Sequence, residues 1–133
     1  MLTLFVLKSG KAKIDPQAAV KSFGDVVFET IHALSLDDLN EFEVHAPWFG
    51  VIHDNEKLDA YLQAALRMFL TWSDADVLVM YKKASDVKIA VHRCPRIFRK
   101  GVKIRPDCLL PVDESNLKFD TILNGWIDDI SQV

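Results

Sequence analysis

The sequence predicts an α/β fold, a small, mostly parallel sheet with flanking helices and an appended antiparallel hairpin region. This prediction rests on the order of the patterns along the chain, because strand-like apolar runs alternate with helical patterns and are then followed by several strands. The composition agrees, since half of the residues are hydrophobic and 26% are charged, as in ordinary globular proteins. A length of 133 residues suits one domain, so residues 1–133 are predicted to form a single α/β domain.

The first half of the chain contains three predicted strands with helical segments between them. Residues 2–7 are a short apolar run, and residues 26–31 are rich in β-branched and aromatic side chains. Between them, Asp15 followed by proline predicts the N-terminus of a short helix. Ser35 with two acids after it predicts another helix start. Residues 48–52 are apolar on both faces, which is typical of a central strand in a covered sheet.

The second half begins with the clearest helical pattern of the chain, residues 57–71, for which Asp54 or Asn55 is the predicted N-cap. After it, residues 76–81 and 87–91 are predicted to form strands joined as a hairpin. A second hairpin with basic rims is predicted across residues 97–104. The end of the chain, residues 119–130, is compatible either with a helix or with a strand and a turn.

The candidate functional site is the run His53-Asp54-Asn55-Glu56, directly after the third strand and before the long helix. Backbone N–H groups at a helix N-terminus favour an anion, and carboxylates favour a hard cation such as Mg²⁺ or Mn²⁺. Ligands of α/β sheets bind beyond the carboxyl ends of the strands, where this run lies. The alternative is purely structural, because a capping Asp or Asn and a first-turn Glu suit any strand-to-helix turn.

A basic segment, residues 82–105, stands out in a chain of net charge −3, because it contains nine Lys or Arg residues and a single acid, Asp86. Its bases could clamp a diphosphate, contact nucleic-acid phosphate, or pair with the acidic residues near the end of the chain. The four bases of interest are Arg96, Arg99, Lys100 and Lys103; the acids are Asp113, Glu114, Asp120, Asp128 and Asp129.

Two segments resemble the nucleotide-sugar glycosyltransferases of the GT-A fold. The run from Trp48 to Leu58 is similar to the family segment in which Trp, four apolar residues and Asp-x-Asp-Glu precede a helix. The run from Cys94 to Lys100 is similar to the Pro-Arg-aromatic-basic stretch that follows a hairpin in many of these enzymes. The resemblance covers roughly residues 1–105, counted on the printed sequence.

The resemblance implies roles for residues in and near both segments. Asp54 and Asn55 would hold Mg²⁺ or Mn²⁺ with the diphosphate of a nucleotide sugar, and Glu56 would be the catalytic residue. The substrate would be bound by His53, Arg96, Arg99, Lys100 and Lys103. The sequence departs from the family at the first and third positions of Asp-x-Asp, where His53 and Asn55 stand. The second strand also lacks an aspartate for the nucleobase, and Glu29 is its nearest acid.

Two functions follow as hypotheses. The first is a glycosyltransferase-like protein that binds a nucleotide-diphosphate sugar, with catalysis reduced or lost. The second is a non-catalytic interaction or assembly module that uses the basic hairpin to bind protein or nucleic acid, with self-association open in either case. No apolar run is long enough to predict a membrane span. The N-terminus does not look like a signal peptide, so a cytoplasmic location is expected. The spacing of Cys94 and Cys108 allows a disulfide, but two cysteines alone are more typical of a reducing compartment.

Overall fold

The computed structural model describes residues 1–10, 15–33, 35–83 and 91–130. Within these residues the chain forms eight strands, two α-helices and three short 3-10 helices. The strands are β1 (Leu2–Leu7), β2 (Val27–Ala33), β3 (Trp48–His53), β4 (Glu56–Leu58), β5 (Val77–Lys83), β6 (Val91–Arg99), β7 (Phe119–Thr121) and β8 (Ile127–Asp129). The helices are α1 (Pro16–Lys21) and α2 (Ala60–Trp72), and the 3-10 helices are Gly24–Val26, Leu36–Glu41 and Glu114–Asn116.

All eight strands belong to one sheet, in the order β2-β1-β3-β6-β5-β8-β4, with β7 also paired to β5. Strand β1 pairs in parallel with both β2 and β3. Strand β6 runs antiparallel to its two neighbours, β3 and β5. Strand β4 follows β3 directly in the chain but lies four places away from it in the strand order, at the edge of the sheet. The sheet therefore curls from β3 round to β4 as a half-barrel.

The predicted fold class is wrong. The sheet is mixed and curled, and strand residues clearly outnumber helical ones. Both α-helices contribute to the same apolar cluster, so they cover one face of the sheet instead of flanking it on two. The sequence was misleading after β3, because a two-residue turn sends the chain back as β4 where a strand-to-helix crossover was predicted. Strand β4 has only three residues, too few for a periodic pattern to show.

Two other predictions also change. Helix α2 begins at Ala60, and its N-cap is Asp59, whose side chain accepts a hydrogen bond from the backbone N–H of Leu62; Asp54 and Asn55 do not cap it. Strand β6 continues through the predicted start of the second hairpin, and residues 102–104 contribute only an isolated bridge from Ile104. The predicted strand 87–91 lies outside the described residues except for Val91.

The core has two layers, one on each face of the sheet. Alternate residues of β1 supply them, because successive side chains of a strand point to opposite faces. Leu4 packs with α1 and α2, whereas Phe5 packs with the 3-10 helix Leu36–Glu41 and with Ile104. Among the described residues, none of the helices combines the length and the apolar character needed to cross a membrane.

Candidate functional site

The carboxylate of Glu56 lies at the centre of a buried cluster of charges. Arg96 binds it with both arms of its guanidinium, since Nη1 lies 2.6 Å from Oε1 and Nη2 lies 2.9 Å from Oε2. Lys82 Nζ lies 2.6 Å from Oε2, and the backbone N–H of His53 donates to Oε1 over 2.9 Å. His53 Nδ1 lies 3.0 Å from Oε1. Because a carboxylate only accepts hydrogen bonds, Nδ1 is the nitrogen that carries a proton.

Four strands bring this cluster together. Strand β3 ends at His53, β4 begins at Glu56, β5 carries Lys82 and β6 carries Arg96. The ladder between β3 and β6 reaches only as far as Gly50. Past that point the backbone N–H of His53 has no partner on β6, and the carboxylate of Glu56 accepts its hydrogen bond. Glu56 thus replaces a missing strand contact as well as binding two bases.

A β-bulge in β6 explains how Arg96 reaches the cluster. Leu78 of β5 pairs with Ile97, whereas the next residue, Val79, pairs with Pro95. Arg96 is therefore an extra residue on β6, and such bulges redirect a side chain relative to the regular alternation of the strand. Pro95 fits the same place, because proline lacks the N–H that a regular ladder needs and is tolerated at bulges.

Burial and charge act in opposite directions on the central pair. Glu56 has no exposed side-chain surface, and the side chain of Arg96 is 6% exposed. Burial by itself raises the pKa of Glu56, but the hydrogen bonds from His53 and Arg96, the charge of Arg96 and the hydrogen bond from Lys82 hold that pKa well below its ordinary value. Burial opposes the charged form of Arg96 too, yet Glu56 raises the pKa of Arg96. Both groups therefore stay ionised.

This cluster predicts a specific loss of stability in acid. A carboxyl group whose pKa is lowered by folding stabilises the protein above its unfolded pKa, and that stability is lost as the pH falls below the unfolded value. For Glu56 the ordinary value is 4.5, so we expect its contribution to be complete at neutral pH and to decline below about pH 4.5. Urea unfolding from about pH 7 to about pH 3 measures this decline. Glu56→Gln should show a shallower decline, and equal slopes would contradict the prediction.

His53 and Lys82 connect the buried pair to the surface. Their side chains are 36% and 24% exposed, respectively, although both contact the carboxylate of Glu56. His53 is paired with Leu7, so it lies at the edge where the parallel strands β1 and β3 both end. This is the edge of a parallel sheet at which ligands usually bind.

Asp54 and Asn55 point to other partners. Asp54 Oδ1 accepts a hydrogen bond of 3.1 Å from the backbone N–H of Ser9. Asn55 Nδ2 donates over 3.1 Å to Oδ1 of Asp129 in β8. Both residues therefore fasten the turn between β3 and β4 to neighbouring segments. The hydrogen bonds that Glu56 accepts involve neither of them.

The donor groups at this turn do not fit a divalent cation. Mg²⁺ and Mn²⁺ need several oxygen ligands that converge on one point. Both oxygens of Glu56 already face cationic groups, and a metal ion beside Arg96 and Lys82 would be repelled by them. Within the described part of the chain, no three His, Cys, Asp or Glu side chains are grouped so that they could hold a metal ion. The Mg²⁺ or Mn²⁺ role of Asp54 and Asn55 that the resemblance implies finds no matching ligand set.

Arg99 lies in a different environment from Arg96. Its guanidinium carbon lies 3.8 Å from the centre of a Trp48 ring, in a cation–π contact. Its Nε donates over 3.0 Å to the carbonyl oxygen of Ala75, and Nη2 donates to the carbonyl oxygen of Ser73, the C-cap of α2. Arg99 thus joins the segment after α2, through two carbonyl groups, to the ring of Trp48 in β3.

Lys100 and Lys103 are exposed and stand apart from the Glu56 cluster. They line a shallow groove of about 210 Å³ on the other face of the sheet, together with Phe42 and Phe49. The backbone N–H of Lys100 donates to Pro47, and the carbonyl of Lys103 accepts from Val112. The fold therefore divides the predicted substrate-binding residues among separate places and brings only His53 and Arg96 together with Glu56.

Lys82 is the member of the cluster that was not predicted as a site residue, although it begins the basic segment. The alternation of inward and outward side chains along β5 indicates that Lys82 points inward. Leu78 and Met80 are buried on the helix-covered face, and residue 82 has the same parity as both. A lysine on the inward parity of a strand needs a buried partner, and here that partner is Glu56.

No protein-family model matches the chain, and no curated protein is significantly similar to it. The resemblance to GT-A glycosyltransferases rests on the two sequence segments alone. The two segments meet in the structure through one ion pair, between Glu56 of the first segment and Arg96 of the second.

Proposed function

We propose that this protein binds a phosphate-bearing ligand of the nucleotide-diphosphate-sugar class at the edge where β1 and β3 end. The observation that carries the proposal is the Glu56 cluster, which combines one buried acid with two bases and leaves Lys82 partly exposed. In this proposal Glu56 is a positioning residue, because its carboxylate holds Lys82 and His53 in place and contacts no solvent.

The charge of the cluster favours an anion. Arg96 neutralises Glu56 through two parallel hydrogen bonds, which leaves the charge of Lys82 in excess. The ammonium of Lys82 has three N–H donors, and Glu56 accepts one of them, so others remain for a phosphate oxygen. His53 offers a second donor, Nε2–H, when its ring is protonated. Two acids flank the cluster, Asp54 and Asp129, and each accepts a hydrogen bond from a neighbouring amide.

Binding is expected without a metal ion and without sugar transfer. The resemblance supplies the ligand class, but the described side chains do not form the metal centre that GT-A glycosyltransferases use to activate a diphosphate. A base such as Lys82 can neutralise phosphate charge directly. The protein would thus hold the ligand without promoting departure of its diphosphate.

Calorimetry tests the proposal with UDP, GDP and CDP sugars and with inorganic pyrophosphate, each with and without Mn²⁺. We expect at least one diphosphate compound to bind equally well in both conditions, and pyrophosphate separates affinity for the phosphates from affinity for the nucleoside. Lys82→Gln should weaken binding by about 10- to 100-fold, the usual worth of a charged hydrogen bond. Lys83→Gln is the matched control, because the neighbouring side chain lies on the opposite face of β5. Absence of binding, or equal losses in both variants, would overturn the proposal.

A second candidate function has its own supporting observation, on the opposite face of the β5–β6 hairpin. Tyr81 and Trp126 lie with ring centres 6.3 Å apart, Lys83 Nζ lies 5.9 Å from Trp126, and Arg93 pairs with Tyr81 across the strands. Aromatic rings beside cations suit single-stranded nucleic acid. Fluorescence anisotropy with a labelled oligonucleotide distinguishes the two functions, because here Lys83→Gln should weaken binding and Lys82→Gln should not.

A cytoplasmic location belongs to the same proposal. In such a reducing compartment the half-buried Cys94 and Cys108 would remain thiols. Fractionation of cells that express the tagged chain would test the location directly.

A further inference from the structure

The outward face of α2 is unusually apolar for a surface helix. Tyr61, Met68 and Trp72 are 76%, 65% and 80% exposed, respectively. The opposite face of the same helix is buried in the core, so apolar residues occur on both sides. Arg67 is the single charged residue in α2, and it pairs with Asp25 at 2.7 Å. Gln63, Arg67 and Thr71 form an exposed polar stripe on the remaining side of α2. Large apolar side chains that lie exposed beside one another commonly mark a surface that contacts another molecule.

The spacing of these residues indicates what covers them. Half-buried Ala65, which also contacts the core, lies in line with the three exposed side chains. Tyr61, Ala65, Met68 and Trp72 follow one another at intervals of four, three and four residues, which places them in a single stripe along the helix. This pattern reads the same in both directions. An antiparallel copy of the helix, related by a two-fold axis at the middle of the stripe, would place Tyr61 against the partner's Trp72 and Ala65 against the partner's Met68. Large residues then meet at the two ends, and a small residue faces a long one near the axis.

We infer that the α2 stripe (Tyr61, Ala65, Met68 and Trp72) is a homodimer interface in which two copies of this chain pack their helices antiparallel. Such a two-fold contact is self-complementary, as closed dimers require. Charge does not oppose it, because Arg67 is already paired within its own chain. The inference is independent of the proposed ligand, since it rests on the surface of α2 and not on the Glu56 cluster.

A groove at the C-terminal end of α2 gives the inference a second support. Its volume is about 220 Å³, and Met68, Phe69, Trp72 and Asp120 are among the residues that line it. A cavity of about 150 Å³ is enough to hold a benzene ring. In the antiparallel arrangement the partner's Tyr61 arrives beside Trp72, so its ring would enter this groove, and the carboxylate of Asp120 could accept a hydrogen bond from its hydroxyl.

Sedimentation equilibrium tests the association. We expect wild-type protein at high micromolar concentration to have twice the chain mass of 15.1 kDa, and Met68→Glu to have the mass of one chain. Val112→Glu is the matched control, because Val112 is 63% exposed and its backbone N–H donates to Lys103, which lines the groove on the other face of the sheet, so this variant should remain dimeric. Circular dichroism verifies that each variant is folded. A monomeric wild type, or equal dissociation by both substitutions, would overturn the inference.

Cysteine cross-linking tests the antiparallel orientation, in a protein that carries Cys94→Ser and Cys108→Ser. When the Tyr61→Cys protein and the Trp72→Cys protein are mixed and oxidised, one chain of each should form a disulfide-linked dimer. At the opposite end of this dimer, the unchanged Trp72 of the first chain still contacts the unchanged Tyr61 of the second. Neither variant should cross-link alone, because like positions would lie about 16 Å apart along the helix axis, well beyond the reach of a disulfide. Cross-links within either single variant would contradict the antiparallel arrangement. Binding of a monomer to lipid vesicles would assign the stripe to a membrane surface and overturn the dimer.

Discussion

Glu56→Gln should lower the free energy of unfolding by about 3–5 kcal/mol, the usual result of removing one partner from a buried ion pair. The variant keeps nearly the same shape but leaves the guanidinium of Arg96 buried without a counter-charge. It also weakens the contacts with Lys82 and with the backbone N–H of His53, which depend on the same two oxygens. Urea unfolding at neutral pH, followed by tryptophan fluorescence, measures the change. Since natural domains are stable by about 5–15 kcal/mol, this loss is a large part of the total.

Two further variants isolate the contribution of the buried charge. Asp25→Asn removes the acid of the Arg67 pair, whose side chains are 58% and 80% exposed, and should change stability little because such pairs are screened by water. The double variant Glu56→Leu with Arg96→Met removes both buried charges and should be more stable than Glu56→Gln. This second comparison remains informative if the single variant does not fold. A Glu56→Gln protein as stable as the Asp25→Asn protein would show that the cluster contributes little.

The sequence predicted the strands that lie in the middle of the sheet better than it predicted the sheet itself. The predicted strand 2–7 coincides with β1, and the predicted strand 48–52 differs from β3 only by His53. These segments are continuous apolar runs, which identify buried strands without knowledge of their neighbours. The curvature of the sheet depends on β4, β7 and β8, which have three residues each. Such short strands show no pattern in the sequence, and their partners are distant along the chain.

The candidate site was predicted in part for the same reason. Both halves of the central pair were among the predicted residues, because Glu56 and Arg96 belong to the two segments that resemble a known family. Their meeting could not be read from the sequence, since it depends on the bulge at Arg96 and on the return of the chain after β3. Glu56 was expected in the first turn of a helix. Placed in β4, the same residue points into the sheet and needs buried cations.

Gly125→Ala should be the second strongly destabilising substitution, with an expected loss of about 2–5 kcal/mol. Gly125 has φ = +79°, a backbone conformation that costs an alanine about 1–2 kcal/mol. The added Cβ would also lie 2.5 Å from the backbone nitrogen of Leu62 and still closer to the carboxylate of Asp59. These atoms form the N-cap of α2, and Asp59 also accepts a hydrogen bond from the N–H of Trp126. The loop and the helix start must therefore separate.

Gly101→Ala isolates the conformational part of this effect. Gly101 has φ = +97°, but a Cβ at this position meets no atom within 4 Å, so only backbone strain of about 1–2 kcal/mol is expected. The difference between the two variants in urea unfolding measures the contact of residue 125 with the cap of α2. Hydrogen exchange should locate that difference in the first turn of α2, because the N–H of Leu62 loses its acceptor when Asp59 moves. If the two variants unfold at the same urea concentration, the loop around Gly125 is free to move away from the helix, and the close packing of Gly125 against the cap does not stabilise the fold.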